Sequence, residues 1–456
     1  MTRRLYVDVT RTAREQTYTG IQKVVRTTFR ALSSYADQHG CEVVAIAIDN
    51  RGAYRLGELA LHPYEKAATE APLDSALKRI RRFADANPDT LMRKASRLML
   101  RRVSSLQWHA RRLTAAVRKR NYVTFERDDI LLLPDSAWAE NPWSVVADLK
   151  ARGGMLAAIC YDLIPVTHPH FFSQTLVASF KTYLERMIAT VDCVACISQS
   201  VQRDLEAFAA AQGKNIHVET VYPIVRISEP ASVPRRDLDD ALRRLTLLIV
   251  ATIEPRKGHE LLLNACDALW AEGWDFNLVI IGRIGWQVED LMQRLTNHTR
   301  RGSRLFLFHD ASDADVAFAF QRARLLVFPS AAEGLGLPIL EAEMAGCPTL
   351  CSDIPVFREI ASPLTRFFSP YSASGLTEAL RTALADGWVR GSPPATASSI
   401  KERTEIYARR LFDVLLTRQR SLVRGLSGHL VQAPLSRQAN GGTPKAPPDA
   451  VNDTGP

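Results

Sequence analysis

Two carboxylates, Glu333 and Glu341, stand eight positions apart on either side of a loop that contains Gly334 and Gly336. A strand pattern ends before this loop, and Pro338 is typical of the first turn of a helix. We expect Glu333 to lie on the loop and Glu341 in that first turn. The free backbone N–H groups at such a helix N-terminus suit a diphosphate or sugar hydroxyls. A carboxylate only accepts hydrogen bonds, so each glutamate is suited to bind vicinal hydroxyls. The spacing therefore predicts a site for a diphosphate, for sugar hydroxyls, or for both.

Two adjacent cations, Arg256 and Lys257, follow a strand predicted over residues 245–252. An arginine binds phosphate oxygens through a two-pronged fork, and a lysine acts as a point charge. Together they can neutralise a diphosphate without a metal. We therefore expect neither a metal nor another cofactor.

Two other patterns resemble metal sites, but their surroundings favour structural roles. Asp313 and Asp315 form a D-x-D, and Asp313 directly precedes a predicted helix, so we expect it to be the helix N-cap. Cys193 and Cys196 form a C-x-x-C inside an apolar run. Because a spacing of three places them on opposite faces of a strand, we expect reduced, packed thiols.

The elements that position these residues alternate between strand and helix patterns over two stretches of the 456-residue chain. Such alternation predicts parallel sheets covered by helices on both faces, and the fold class is α/β with two doubly wound domains facing a cleft. The predicted division is a first domain over 1–226 with a basic helical insertion at about 75–120, a linker over 227–240, a second domain over 241–399, a helix over 400–420 that returns to the first domain, and a disordered tail over 421–456.

The composition, with 46% apolar and 23% charged residues, excludes a wholly disordered, collagenous or coiled-coil chain. The sequence has no apolar run of the roughly 18–20 residues that a membrane span needs. It also has no apolar stretch of the signal-peptide kind near its start. We expect a cytoplasmic protein.

A net charge of +9 is concentrated in the segment 78–120, which holds 14 Lys and Arg and only two acidic residues. Apolar residues recur there every three or four positions, which predicts an amphipathic helix. A basic amphipathic helix binds a membrane surface, a protein partner or nucleic acid, or is simply a solvated helix packed on its own domain. Nucleic acid is disfavoured, because the segment has almost no aromatic residues for base stacking. The anionic inner face of the cell membrane is the expected partner.

The motifs taken together resemble the GT4 family of retaining glycosyltransferases, which have the GT-B fold. The E-x7-E of Glu333 and Glu341 and the run 254–258 carry the resemblance in the second domain. The segment 351–359 of the second domain resembles the family as well, and the segments 19–26, 161–165 and 197–200 resemble it more weakly. The last three lie in the first domain, and the resemblance covers roughly residues 5–415.

The resemblance implies a role for each matching residue. Glu341 would bind the nucleotide ribose, and Arg256 and Lys257 would stabilise the leaving diphosphate. Gly20 would let the first loop approach that diphosphate, and Asp162 would lie on the acceptor side. The donor sugar would be held by Glu333 and by the amides of Gly334, Leu335, Gly336 and Leu337.

One departure from the family concerns the residue before Asp162. Many relatives have histidine there, whereas this chain has Tyr161. His168, six positions after Asp162, is a candidate replacement on the acceptor side.

The implied reaction is transfer of a sugar, with retention, from a nucleoside-diphosphate sugar to a glycan or lipid-linked acceptor of a surface polysaccharide. The first-domain motifs favour GDP-mannose over a UDP-sugar. Two alternatives are a non-catalytic membrane-associated adaptor and an NAD-dependent oxidoreductase. The oxidoreductase needs G-x-G-x-x-G after a first strand, and the chain has only Gly20 or Gly258 at those places.

Overall fold

The computed structural model describes residues 3–14, 20–57, 121–135, 138, 140–225, 227–230, 235–385, 391 and 397–430. The basic segment 78–120 and residues 431–456 lie outside these ranges, so the predictions made for them stay predictions. The described chain forms two α/β domains, each built on one sheet. The prediction of two doubly wound domains is confirmed.

In its described residues, the first domain has a seven-stranded sheet with the order β3-β2-β1-β4-β5-β6-β7, in which only the edge strand β3 is antiparallel to its neighbour. Its central strands are buried on both faces, which is why they appear in the sequence as continuous apolar runs. The strands are β1 (Arg3–Asp8), β2 (Cys41–Asp49), β3 (Gly52–Arg55), β4 (Ile130–Leu133), β5 (Met155–Cys160), β6 (Cys193–Cys196) and β7 (Val218–Thr220).

Helices connect the parallel strands of this sheet and supply much of the apolar surface that packs on it. Two of them begin with a serine N-cap, since the Ser173 and Ser198 hydroxyls accept from backbone N–H groups three residues on. The helices are α1 (Thr10–Arg14), α2 (Gly20–Ala36), α3 (Trp143–Ala151), α4 (Ile164–Thr167), α5 (Gln174–Thr190) and α6 (Gln199–Ala211).

The part of the second domain that the structure describes has a six-stranded, fully parallel sheet with the order β10-β9-β8-β11-β12-β13. Two buried clusters cover it, one on each face. The strands are β8 (Thr246–Val250), β9 (Asn277–Ile281), β10 (Leu305–Phe308), β11 (Leu325–Phe328), β12 (Thr349–Ser352) and β13 (Thr365–Phe368).

The second domain begins with a helix where the sequence predicts a linker. A helix begins at Arg236, inside the range predicted as a linker, because its buried face packs into the second core. The helices are α7 (Arg236–Leu242), α8 (His259–Ala271), α9 (Glu289–Asn297), α10 (Asp313–Arg322), α11 (Leu337–Met344), α12 (Pro355–Glu359) and α13 (Ala373–Ala385).

The last helix, α14 (Ala397–Leu430), packs on α2 and β6 of the first domain. Leu411 and Phe412 lie in the first-domain core, and the Tyr407 hydroxyl lies 2.7 Å from that of Thr28. The helix continues ten residues past the predicted end at 420, so the tail predicted to begin at 421 starts as helix. Within the described ranges, the chain has no helix that combines the length and apolar character of a membrane span.

All seven cysteines are buried and unpaired by disulfides, as their apolar surroundings predict. Cys193 and Cys196 begin and end β6, in the middle of the first sheet. The prediction of packed thiols is therefore confirmed.

Candidate functional site

The loops after β8 and β11 meet because these strands are neighbours at the point where the strand order of the second sheet reverses. Ligands of open α/β sheets bind at such a switch point, beyond the carboxyl ends of the strands. The Ala331 N–H donates to the Arg256 carbonyl across 2.7 Å, which ties the two loops together. Gly258 is required for this approach, since a Cβ there would stand 2.3 Å from the Pro329 carbonyl oxygen. The sheet topology therefore brings Arg256 and Lys257 to the E-x7-E loop.

Glu333 lies between the two predicted phosphate-binding cations. Its Oε2 accepts from Arg256 Nη1 at 3.0 Å, and its Oε1 is in contact with Lys257 Nζ. Arg256 Nη1 also donates to the Ala332 carbonyl at 2.8 Å, and Lys257 Nζ stands 5.5 Å from the Phe328 ring centre. All three charged side chains are at most 15% exposed. The two cations are thus held in fixed positions at the mouth of the loop.

The protonation states follow from this arrangement. Burial by itself would raise the pKa of Glu333, but Lys257 and Arg256 outweigh burial and lower the pKa to about 2. Burial, and then the positive charge of Arg256, lower the pKa of Lys257. Glu333 is therefore an anion at every physiological pH, and it compensates the positive charge around it.

A third carboxylate, Glu254, belongs to the same cluster and was not predicted. Its Oε1 lies 2.7 Å from Arg256 Nε, and its side chain is 3% exposed. Burial raises the pKa of Glu254, while Arg256 acts in the opposite direction. Its place two positions before Arg256 is a signal in the sequence, since both residues lie in the connection between β8 and α8.

Asp162 follows β5 of the first domain and faces the glycine loop of the second domain. A Cβ on Gly334 would come within 2.0 Å of the Tyr161 carbonyl oxygen and 3.3 Å of Asp162 Cβ, so only glycine fits there. One carboxylate oxygen of Asp162 accepts from the Ile164 N–H at 3.0 Å. Burial raises the pKa of Asp162, and the charge of Arg256 acts against this. The structure thus places Asp162 beside the glycine loop 334–337.

The Tyr161 side chain does not place a polar group in the cleft beside Asp162. Its side chain is buried, and its hydroxyl donates to the Pro134 carbonyl at 2.6 Å. His168 lies just after α4, where a ring nitrogen is 2.9 Å from the Thr167 hydroxyl. Burial, and then the neighbouring His170, lower the pKa of His168. Its replacement of the family histidine stays a prediction.

Glu341 lies on α11 and is 12% exposed at its side chain. The helix begins at Leu337, so Glu341 is in its second turn and not, as predicted, in its first. Lys23 of α2 reaches it from the first domain, with Nζ 4.0 Å from Oε1. Burial raises the pKa of Glu341 to about 7, against the effect of the Lys23 charge. Lys23 was not predicted, because its partners are 290 or more positions away in the chain.

Lys23 also forms an ion pair with the first aspartate of the D-x-D. Lys23 Nζ lies 2.8 Å from Asp313 Oδ1. The N-cap of α10 is Ser312 and not Asp313 as predicted, and Ser312 forms a capping box with Asp315. Both aspartates therefore have structural partners in this fold.

The start of α2 faces the glycine loop 334–337. Gly20 is its first residue, and a Cβ there would lie 3.4 Å from the Leu337 side chain. Gly336 precedes α11 with a φ of 97°, a left-handed conformation that favours glycine. The predicted loop of Gly334, Leu335, Gly336 and Leu337 thus lies between Asp162 on one side and Gly20 on the other. The roles assigned to these residues stay predictions.

The two domains also touch outside this centre. The Ser198 hydroxyl of the first domain donates to the Gly334 carbonyl at 2.7 Å. Trp286 of the second domain donates from Nε1 to the Phe171 carbonyl at 2.9 Å, and its ring packs 5.7 Å from that of Phe172. These contacts close the cleft around the loop. As a whole, the site can bind an anion with two fixed cations and sugar hydroxyls with two carboxylates.

Comparison with known proteins agrees with this geometry. Residues 235–404 match the family model described as Glycosyl transferases group 1. The serotype-specific mannosyltransferase WbdA of Escherichia coli is 32% identical over 280 residues, which is 58% of this chain and 34% of that protein. The O-antigen chain mannosyltransferase B of Escherichia coli is 32% identical over 140 residues, 30% of this chain and 36% of that protein. The chain therefore spans about a third of the length of each of these two relatives.

Among solved structures, the sucrose-phosphate synthase of Thermosynechococcus elongatus aligns with a TM-score of 0.53 at 17% identity, covering 94% of this chain and all of that one. This likeness shows the fold, a pair of Rossmann-like domains. The predicted resemblance to GT4-like enzymes is confirmed. Residues 235–404 are therefore similar to the group 1 glycosyltransferases, and the chain has a two-domain GT-B fold.

Proposed function

We propose that this chain is a retaining glycosyltransferase that moves a sugar from a nucleoside-diphosphate sugar to a glycan or lipid-linked acceptor in surface polysaccharide synthesis. The observation that carries the proposal is the pair Arg256 and Lys257, fixed by Glu333 at the switch point of the second sheet. Mannosyltransferases among the relatives favour a mannosyl donor. The first-domain motifs favour GDP-mannose over a UDP-sugar.

The reaction breaks the bond between the sugar's anomeric carbon and the β-phosphate oxygen and forms a bond from that carbon to the acceptor oxygen. Negative charge grows on the leaving diphosphate, where Arg256 and Lys257 stabilise it. The acceptor proton moves to an oxygen of the leaving phosphate. Two fixed cations at the phosphate supply the charge that a metal supplies elsewhere, so the proposed transfer needs no metal or cofactor.

Glu333 and Glu341 have separate tasks in this proposal. Glu341 accepts hydrogen bonds from the nucleotide ribose, while Glu333 and the amides that follow it hold the sugar hydroxyls. Asp162, beside Gly334, is on the acceptor side of the transferred sugar. The arrangement holds donor and acceptor in reacting geometry, from which a large part of a rate enhancement comes.

The test is transfer from GDP-mannose and, in parallel, from UDP-glucose to an α-linked mannose oligosaccharide. We expect release of GDP, and an α-linked product by proton NMR of the anomeric signal. Glu333→Gln is the matched variant and should lose most of this turnover. If neither donor is turned over or hydrolysed, and neither nucleotide raises the melting temperature, the proposal is wrong.

We also propose that the basic segment 78–120 binds the anionic inner face of the cell membrane, where a lipid-linked acceptor is presented. Near such a surface each Lys or Arg contributes about 1 kcal/mol, and salt weakens the attraction. Co-sedimentation with anionic vesicles should be strong at low salt. It should fall in a variant that has serine at Arg93, Lys94, Arg97, Arg101 and Arg102. Equal binding of both proteins would refute the assignment.

A further inference from the structure

A carboxylate of the second domain is bound to the start of a helix in the first domain. Glu359 is the last residue of α12, and its Oε1 accepts from the Gln199 N–H at 2.6 Å. Its Oε2 accepts from the Ser200 N–H and from the Ser200 hydroxyl, each at 3.0 Å. The Tyr222 hydroxyl also donates to Oε1, at 2.7 Å. One carboxylate thus receives four hydrogen bonds from the other domain.

The physical basis of this contact is the start of α6, whose first N–H groups have no partner within the helix. Ser198 is its N-cap and accepts from the Val201 N–H at 3.1 Å, so the N–H groups of Gln199 and Ser200 stay available for Glu359. The positive end of the helix dipole also favours an anion there. Charge-assisted hydrogen bonds of this kind are about twice as strong as neutral ones.

The same helix end also holds the donor loop. The Ser198 hydroxyl donates to the Gly334 carbonyl at 2.7 Å, and Gly334 directly follows Glu333. Gly334 in turn is packed against the Tyr161 carbonyl, next to Asp162. The second domain is therefore hydrogen-bonded to the start of α6 at two points, Glu359 and Gly334.

We propose that Glu359 is a positioning residue that fastens the second domain to α6 and so keeps the glycine loop against Asp162. The inference rests on the proposed transferase function, because the loop and Asp162 are the donor and acceptor sides of that reaction. Glu359 does not touch the substrates in this proposal. It acts through Ser198 and Gly334, and its loss lets the cleft open between Glu333 and Asp162.

Glu359→Gln tests the contact, since glutamine keeps the size but its amide nitrogen cannot accept from an N–H. Glu206→Gln is the matched control: Glu206 is exposed on the same helix, and its carboxylate accepts from Gln202 at 2.8 Å. The first readout is hydrogen exchange, resolved to the peptides around 197–204 and 330–337. Glu359→Gln should speed exchange about tenfold in both peptides, and Glu206→Gln in neither. Unchanged exchange at 197–204 means that Glu359 does not hold the helix and overturns the proposal.

The second readout is the kinetics of transfer from GDP-mannose. We expect kcat to fall about tenfold in Glu359→Gln with the donor KM changed less than threefold, and hydrolysis to gain relative to transfer because water enters the open cleft. Glu359→Asp, a shorter carboxylate, should recover part of kcat. If exchange is faster but kcat and the ratio of hydrolysis to transfer are unchanged, Glu359 is not a positioning residue. If the wild type transfers no sugar but the exchange result is as expected, Glu359 does fasten the second domain to α6, and the proposed transferase function is wrong.

Discussion

Glu341 gives the site a pH dependence that follows from its burial. Its pKa of about 7 means that the carboxylate protonates as the pH falls through neutrality. The anion is the better acceptor for ribose hydroxyls, so the donor KM should rise about tenfold from pH 8 to pH 6. Lys23→Met should move the midpoint to higher pH, since the Lys23 charge holds the pKa down. Glu341→Gln should give a flat profile, and a flat profile in the wild type contradicts the assignment.

The two cations of the site should affect turnover more than binding. Charge on the leaving diphosphate grows toward the transition state, so Arg256→Ala should lower kcat about 10²–10³-fold and change the donor KM less. The control is Arg244→Ala, an exposed arginine of the same domain that lies 3.7 Å from Asp275. Steady-state kinetics in EDTA should show full wild-type activity. Loss of activity in EDTA that Mg²⁺ restores rules out the metal-free proposal.

At the level of single residues, the sequence identifies most of the cluster but not its partners. Glu333, Arg256 and Lys257 come together as their motifs predict. Lys23 and Glu359 could not be predicted, because each pairs with a residue of the other domain. Such a pairing depends on how the two sheets face one another, and residue spacing within one segment carries no information about that.

The loop from β11 to α11 tolerates no side chain at Gly334. A Cβ would lie 2.0 Å from the Tyr161 carbonyl oxygen, so Gly334→Ala must displace the loop or separate the domains. We expect kcat to fall at least tenfold, while the melting temperature changes by a few degrees at most. Gly57→Ala is the control, since a Cβ there has nothing within 4 Å. Wild-type kcat in Gly334→Ala would show that the loop need not stay against Asp162.

The elements themselves are largely predictable from apolar runs. Buried strands such as β5 and β11 appear as unbroken apolar segments. The sequence does not predict the edge strands β3 and β13. They are short and only partly buried, so their residues lack the apolar run that marks a central strand.

At the scale of the whole molecule, the two sheets are predictable from alternation, but their mutual contacts are not. The glycine loop 334–337, the start of α2 and the start of α6 form one interface only because the second domain faces the first across the cleft. Half of the candidate site therefore depends on an arrangement that the sequence motifs imply only through family resemblance. The interface contacts are what the structure adds to the prediction.

The chain crosses back to its first domain through α14, and this predicts where a core substitution acts. Leu411 belongs by sequence to the end of the chain, yet it is fully buried in the core of the first domain. Leu411→Ala should cost about 2–5 kcal/mol of first-domain stability. Calorimetry should show a lower melting temperature. Hydrogen exchange should be faster in β6 and α2 and little changed in β8 and β9. Ile406→Ala, on the same helix but 59% exposed, should change neither domain. Opening that begins in the second domain would mean that α14 does not stabilise the first.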